Sequence, residues 1–331
     1  MITVVPVDLR DSELAAEVLS GLGQVENALG EVAIGFGDVL ADAARHLVDA
    51  GGKRFRATLV LLAAQFGVAT SPKVVPAAVA IELTHLATLY HDDVMDEAVM
   101  RRGHPSANSR WGNTVAILTG DFLFARASRI LADLGSEAIR IQAETFTRLV
   151  NGQIAETVGP RPGEDPLEHY LGVVADKTAS LIATAGRFGA MFGGAPAAVV
   201  GHTEAACDAL GMAFQLSDDI LDVASDSGQS GKTPGTDLRE GVPTLPVLHA
   251  LRSANPDGSR LRELLKDGDL TDPRLHAEAL GLLRAHPAMA AARQDLRRWA
   301  GEAREQVLAL PDVPARVAFE SLCDYVVDRT G

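Results

Sequence analysis

At 331 residues, 47% hydrophobic and 22% charged, the chain can bury a large core and is too apolar for a disordered protein. Its formal charge of −14 argues against general nucleic-acid binding, because no basic surplus exists to displace phosphate counterions. Cys207 and Cys323 stand far apart with no CxxC spacing, so neither a disulfide framework nor a zinc site is indicated and a cytoplasmic location is expected.

The start, MITVVPVDLRDSE, lacks the basic and long apolar regions of a signal peptide; within it, ITVVPV is the chain's best candidate for a strand. SELAAEVLSGLGQVENAL then opens with a Ser cap and places apolar residues three and four apart, which predicts a helix from residue 12. ATLVLLAAQFGVATSP (57–72) is short for a membrane span and carries Gln, Gly and Pro, so it reads as a core helix. Residues 74–94 repeat helical spacing through Val79, Leu83, Leu86 and Tyr90. Further helices are predicted over 106–133, 136–158, 165–192 and 197–224. A long irregular stretch follows at 225–244, of a length that in a compact domain is usually functional or mobile. Helices over 243–253, 273–285, 288–309 and 315–328 complete the chain. With no composition shift and no fixed-period repeat, residues 1–331 are expected to form a single all-α domain.

Two acidic clusters stand out. HDDVMDEAVMRRG holds Asp92, Asp93 and Asp96; FQLSDDILDV holds Asp218, Asp219 and Asp222. Asp92 and Asp96 are four apart, as are Asp218 and Asp222, so each pair shares one helix face and repels itself unless a cation compensates. At this Asp content two DDxxD clusters arise by chance in roughly one such chain in eighty, so two solvated helix faces are the weaker reading. Hard divalent cations bind such oxygens, and Mg²⁺ typically takes one or two carboxylates together with substrate phosphates. Basic residues accompany the clusters. AGGKRFR places Lys53, Arg54 and Arg56 where a loop meets a helix start, a setting that favours anions. Arg101 and Arg102 follow the first cluster, and Lys177 and Lys232 lie near the second in sequence. Each alone is ordinary surface charge; together they describe a site for two diphosphates, one held through metals and one by cations directly.

GGKRFR, LTHLATLYHDDVMDEAVMRRG, GQIAE, DKTASL, FQLSDDILD and GKTPGTDLREGVPTLPVL resemble, in order and spacing, the motifs of the trans-polyprenyl diphosphate synthases. The resemblance implies an all-α isoprenoid-synthase helical bundle around a deep central cavity, working as a homodimer. It implies a Mg²⁺-dependent prenyltransferase that condenses an allylic diphosphate with successive isopentenyl diphosphate units. On that likeness Asp92, Asp93, Asp96, Asp218, Asp219 and Asp222 bind the metal, and Arg101, Lys177 and Lys232 touch the allylic diphosphate. Thr178 and Gln215 lie beside the allylic cation, and Lys53, Arg56, His85 and Arg102 form the isopentenyl diphosphate pocket. Without the motif, His85 is more simply a hydrogen-bonded core histidine. No side chain is assigned as general base, since the released diphosphate can take the proton.

Short-product members of this family commonly carry bulky aromatics four and five residues before the first Asp. Here those positions are Thr88 and Ala87, which implies an open tunnel and a long all-trans product, a quinone side-chain precursor. No transmembrane segment is expected, only transient membrane contact for product release. The alternatives are a short-chain farnesyl or geranylgeranyl diphosphate synthase and, further off, a class I terpene cyclase. The second DDxxD and the 5% aromatic content argue against the cyclase.

Overall fold

The computed structural model describes residues 10–32, 38–225, 234–253 and 258–330. Lys232 and the ITVVPV segment lie outside the described residues. The chain begins with α1 (Ser12–Glu31), α2 (Asp38–Asp49), α3 (Phe55–Ala64) and α4 (Val74–Met95), then a hairpin of β1 (Met100–Arg101) and β2 (His104–Pro105). It continues through α5 (Ala107–Trp111), α6 (Asn113–Leu134), α7 (Ser136–Val158), α8 (Pro166–Val174), a π-helical turn (Ala175–Ala179) and α9 (Ser180–Phe192). The remainder is α10 (Ala197–Ala224), α11 (Thr236–Arg239), α12 (Leu245–Arg252), α13 (Ser259–Asp267), α14 (Pro273–Ala285), α15 (Ala288–Leu308) and α16 (Pro314–Asp328). The predicted all-α class holds: the two-residue hairpin is the only sheet among the described residues.

Local chemistry explains several helix starts. Asp11, not Ser12, caps α1, its carboxylate accepting from the backbone N–H of Glu13 and Leu14. Asp165 and Asp272 cap α8 and α14 the same way, each followed by a proline in the first turn, where a missing N–H costs nothing. The helix expected over 106–133 breaks into α5 and α6 at Gly112, whose φ of +84° is outside helical space.

The chain divides into two compact units. The first comprises Met1–Thr147, Leu181–Cys207 and Gln306–Ser321. Its central helix is α4, apolar on nearly every face and buried from Ala77 to Thr84 and again at Leu86, Ala87 and Tyr90. A helix hydrophobic all round belongs in an interior, and α6, α3 and α1 pack against it. A Cβ on Gly189 of α9 would lie 2.2 Å from Val60 O of α3, so only glycine lets these helices meet so closely. The second unit comprises Arg148–Ser180, Asp208–Glu305 and Leu322–Gly331. Part of its core is Val174, Ala179 and Met212, with Tyr170 and Trp299 packed on them. Among the described residues no helix is long and apolar enough to cross a membrane.

Candidate active site

In the first unit the acidic cluster forms the C-terminal end of α4. Carboxylates there face the negative end of the helix dipole, and the last turn holds no basic residue. Asp92 and Asp96 lie one turn apart, Asp96 N–H donating to Asp92 O at 2.8 Å. Asp96 is exposed and Asp92 half-buried, whereas Asp93 is fully buried. Arg101 Nε donates to Asp93 Oδ1 at 2.6 Å, while Asp93 Oδ2 is buried with no hydrogen-bond partner. Burial pushes the Asp93 carboxyl up against the pull of Arg101. His91, just ahead of the cluster, leans on α6, and a Cβ on Gly120 would lie 2.3 Å from its Nε2.

The hairpin explains the RRG that follows. Met100 pairs with Pro105 and Arg101 with His104, leaving Arg102 and Gly103 as a two-residue turn. Both take positive φ, +52° and +77°, as a type I′ turn requires. The Arg102 guanidinium donates to Leu47 O at 2.9 Å and to Gly51 O. Gly52 lies beneath it: a Cβ there would stand 3.1 Å from the guanidinium carbon. The paired glycines before Lys53 therefore seat Arg102. Among the described residues, the non-glycine residues with positive φ are Arg54, Glu97 and Arg102, and all three lie within or beside these motifs.

Around His85 the structure gathers Arg54, Arg56, Arg101 and Arg102. Burial, then the charges of those arginines, hold its imidazole well below the usual histidine range, so it is neutral. Burial also lowers Arg56, whose Nε is buried without a hydrogen-bond partner. Lys53 is exposed nearby in sequence. Arg54 differs from its expected role among the anion-binding cations. It is 2% exposed, donates to Glu26 at 2.5 and 3.1 Å, and lies 3.7 Å from buried Glu82, so it is a structural ion-pair residue. Of the two positions before Asp92, Ala87 is buried and Thr88 half-buried, the Thr88 hydroxyl turned back to His85 O at 2.8 Å.

In the second unit the other cluster lies near the C-terminal end of α10. Exposed Asp218 pairs with Arg329 at 2.7 Å. Asp222 accepts from the N–H groups of Thr236 and Asp237 at 3.1 and 3.2 Å, capping α11. Asp219 is 3% exposed and takes three hydrogen bonds: from Tyr170 OH, from Gln215 Nε2 at 3.0 Å and from Leu245 N at 3.3 Å. Burial raises its carboxyl to about 7 despite those donors. Asp219 is thus held by protein donors on both of its carboxylate oxygens. Lys177 and Thr178 fall in the π-helical turn, a distortion that recurs at functional sites. Lys177 pairs with Glu156, and a Cβ on Gly152 would lie 2.6 Å from Lys177 N, so GQIAE supplies both the partner and the space. Thr178 Oγ1 donates to Gln215 Oε1 at 3.2 Å. Tyr170, Arg329 and Glu156 were not expected as site residues; GQIAE contains Glu156, and none of the motifs quoted above contains Tyr170 or Arg329.

The donor set suits a hard cation. Both clusters are all-oxygen, both sit at helix ends that favour a positive charge, and Asp93 Oδ2 is a buried orphan acceptor. Among the described residues no three His, Cys, Asp or Glu side chains form a ready-made cage.

Comparison with known proteins follows the same lines. The family model "Polyprenyl synthetase" matches residues 37–282. The nonaprenyl diphosphate synthase of Mycobacterium tuberculosis is 51% identical over 329 residues, covering 99% of this chain and 98% of that one. A dimethylallyltranstransferase from the same organism is 42% identical, covering 97% of this chain and 98% of that one. Among solved structures, a geranylgeranyl pyrophosphate synthase from Corynebacterium glutamicum, complexed with calcium and isoprenyl diphosphate, aligns with a TM-score of 0.88. It shares 45% identity and covers 97% of this chain and 98% of that one. The helical architecture, the two aspartate clusters and these full-length likenesses agree: the chain belongs to the polyprenyl synthetase family and is a prenyltransferase.

Proposed function

We propose that this enzyme condenses an allylic diphosphate with successive isopentenyl diphosphate units to a long all-trans polyprenyl diphosphate, a quinone side-chain precursor. The observation that carries the reading is the group of arginines around neutral His85, with a buried, unpartnered Arg56 Nε among them. The half-buried cation left once Arg54 and Arg101 pair with carboxylates is stabilised when an anion joins it. We assign Lys53, Arg56, His85 and Arg102 to isopentenyl diphosphate. The allylic diphosphate is assigned to Asp92, Asp93, Asp96, Asp218, Asp219 and Asp222 through Mg²⁺, with Arg101, Lys177 and Lys232. When bound, the metal offsets charge building on the leaving diphosphate. Arg101 holds the α4 cluster in place through Asp93, and Lys177 presents its ammonium from the π-turn. Thr178 and Gln215 direct oxygen atoms at the developing allylic cation, and the departing diphosphate takes the proton after carbon–carbon bonding.

Small residues at Ala87 and Thr88 support a long product, as does the likeness to the nonaprenyl enzyme. The short-chain alternative draws on the likeness to the geranylgeranyl enzyme. We further propose one catalytic domain working as a cytoplasmic homodimer, with transient membrane contact at product release. Incubation with farnesyl diphosphate, isopentenyl diphosphate and Mg²⁺, followed by chromatography of the dephosphorylated products, tests the reading. Polyprenols longer than geranylgeraniol are expected, and none when chelator is in excess. Products no longer than geranylgeraniol overturn the long-chain assignment, and turnover without divalent metal overturns the metal assignment.

A further inference from the structure

Within the second unit four side chains form one hydrogen-bonded run. Tyr170 on α8 donates its hydroxyl to Asp219 Oδ2, which also accepts from Leu245 N at the start of α12. Gln215 Nε2 donates to Asp219 Oδ1, and Thr178 Oγ1 in the π-turn donates to Gln215 Oε1. Three donors converge on Asp219, so in its ionised form it is an acceptor only and faces the NH₂ end of the Gln215 amide. The amide oxygen is thereby turned toward Thr178. Nothing intrinsic to glutamine sets that choice, since the two ends of its amide are alike in shape.

We infer that Tyr170 is a positioning residue for prenyl transfer, which through Asp219 fixes the Gln215 amide with its oxygen toward Thr178. This rests on the proposed reading of the site. The consequence is electrostatic: the negative end of a preorganised dipole is presented to the allylic cation at no cost of reorientation. The ring of Tyr170 packs on Val174, Ala179 and Met212 independently of its hydroxyl, so removing the hydroxyl alone leaves this core intact.

Tyr170→Phe tests it. A ground-state binding role would raise KM; an orienting role lowers kcat and kcat/KM together. The expected loss in kcat is about tenfold, milder than losing a transition-state contact outright, with both KM values within about twofold. The thermal stability of the variant should fall only by the loss of this one hydrogen bond. In a Gln215→Ala background Tyr170→Phe should cost nothing further, because only coupled residues depart from additivity. Equal losses in both backgrounds, or an effect on KM alone, overturn the inference. An inactive wild-type enzyme overturns the prenyl-transfer reading instead, and with it any role for the run.

Discussion

Neighbouring residues in GGKRFR do opposite work. Arg54 is turned inward to Glu26 and Glu82, while Lys53 is exposed. Arg54→Met leaves Glu82, 2% exposed, short of its cation, and breaking a buried pair costs about 3–5 kcal/mol. Urea unfolding should show that loss. Lys53→Ala should leave stability within about 0.5 kcal/mol and raise KM for isopentenyl diphosphate; an effect confined to the allylic primer would reverse our division of the cations. His85 makes the site sensitive to acid. Its native pKa is depressed, so below about 6.5 the unfolded chain binds a proton that the native state resists. The unfolded state then holds more protons, so stability rises with pH toward neutrality and is lost as pH falls through that window. Denaturation midpoints at pH 7 and pH 5 should differ less for His85→Gln than for wild type. An unchanged difference would mean other groups set the acid response.

At the level of elements, α4 joins buried core, His85 and the proposed metal ligands on one rod. Asp92 lies about 6 Å beyond Thr88 and about 7.5 Å beyond Ala87 at the helical rise per residue. A chain growing away from the carboxylates passes these positions after a few isoprene units. Thr88→Phe, at the half-buried position, should shorten the main product to farnesyl or geranylgeranyl diphosphate while the first condensation stays fast. Ala87→Phe should do so with an added stability loss of about 1–3 kcal/mol, because Ala87 is already packed. An unshortened product from both variants, sized by chromatography, would place the chain elsewhere. The strongly periodic helices were legible from sequence: α7, α10 and α14 match their predicted bounds. α2 and α13 were not. α13 buries only Leu261 and Leu264 in nine residues, too few for a period to show. The π-turn inside the predicted 165–192 helix left no mark in the hydrophobic pattern, and the close approach of Gly152 to Lys177 N there is a long-range contact. In the site, spacing pointed to the aspartates. The inward turn of Arg54 and the Tyr170 contact depend on partners 28 and 49 residues away, which no local pattern encodes.

For the molecule as a whole, assembly is a question of charge against apolar surface. Each chain carries a formal −14, so two chains repel unless a contact outweighs it. In the first unit, α6 exposes Ile117 and Leu118 at 42% and 56%, and the start of α7 exposes Ile139 at 43%. Scattered apolar residues are ordinary on a surface, but two adjacent large ones on one helix offer a contact that aspartate would undo. Sedimentation of the wild type should give the mass of two chains, tightening with added salt as the repulsion is screened. Leu118→Asp adds a desolvated charge on each side of a self-complementary contact and should give single chains at micromolar concentration. Its thermal unfolding should then become independent of protein concentration, where that of the wild type rises with it. A wild type of single-chain mass would remove the homodimer from the proposal. A Leu118→Asp variant still sedimenting as two chains would move the contact off this face of α6.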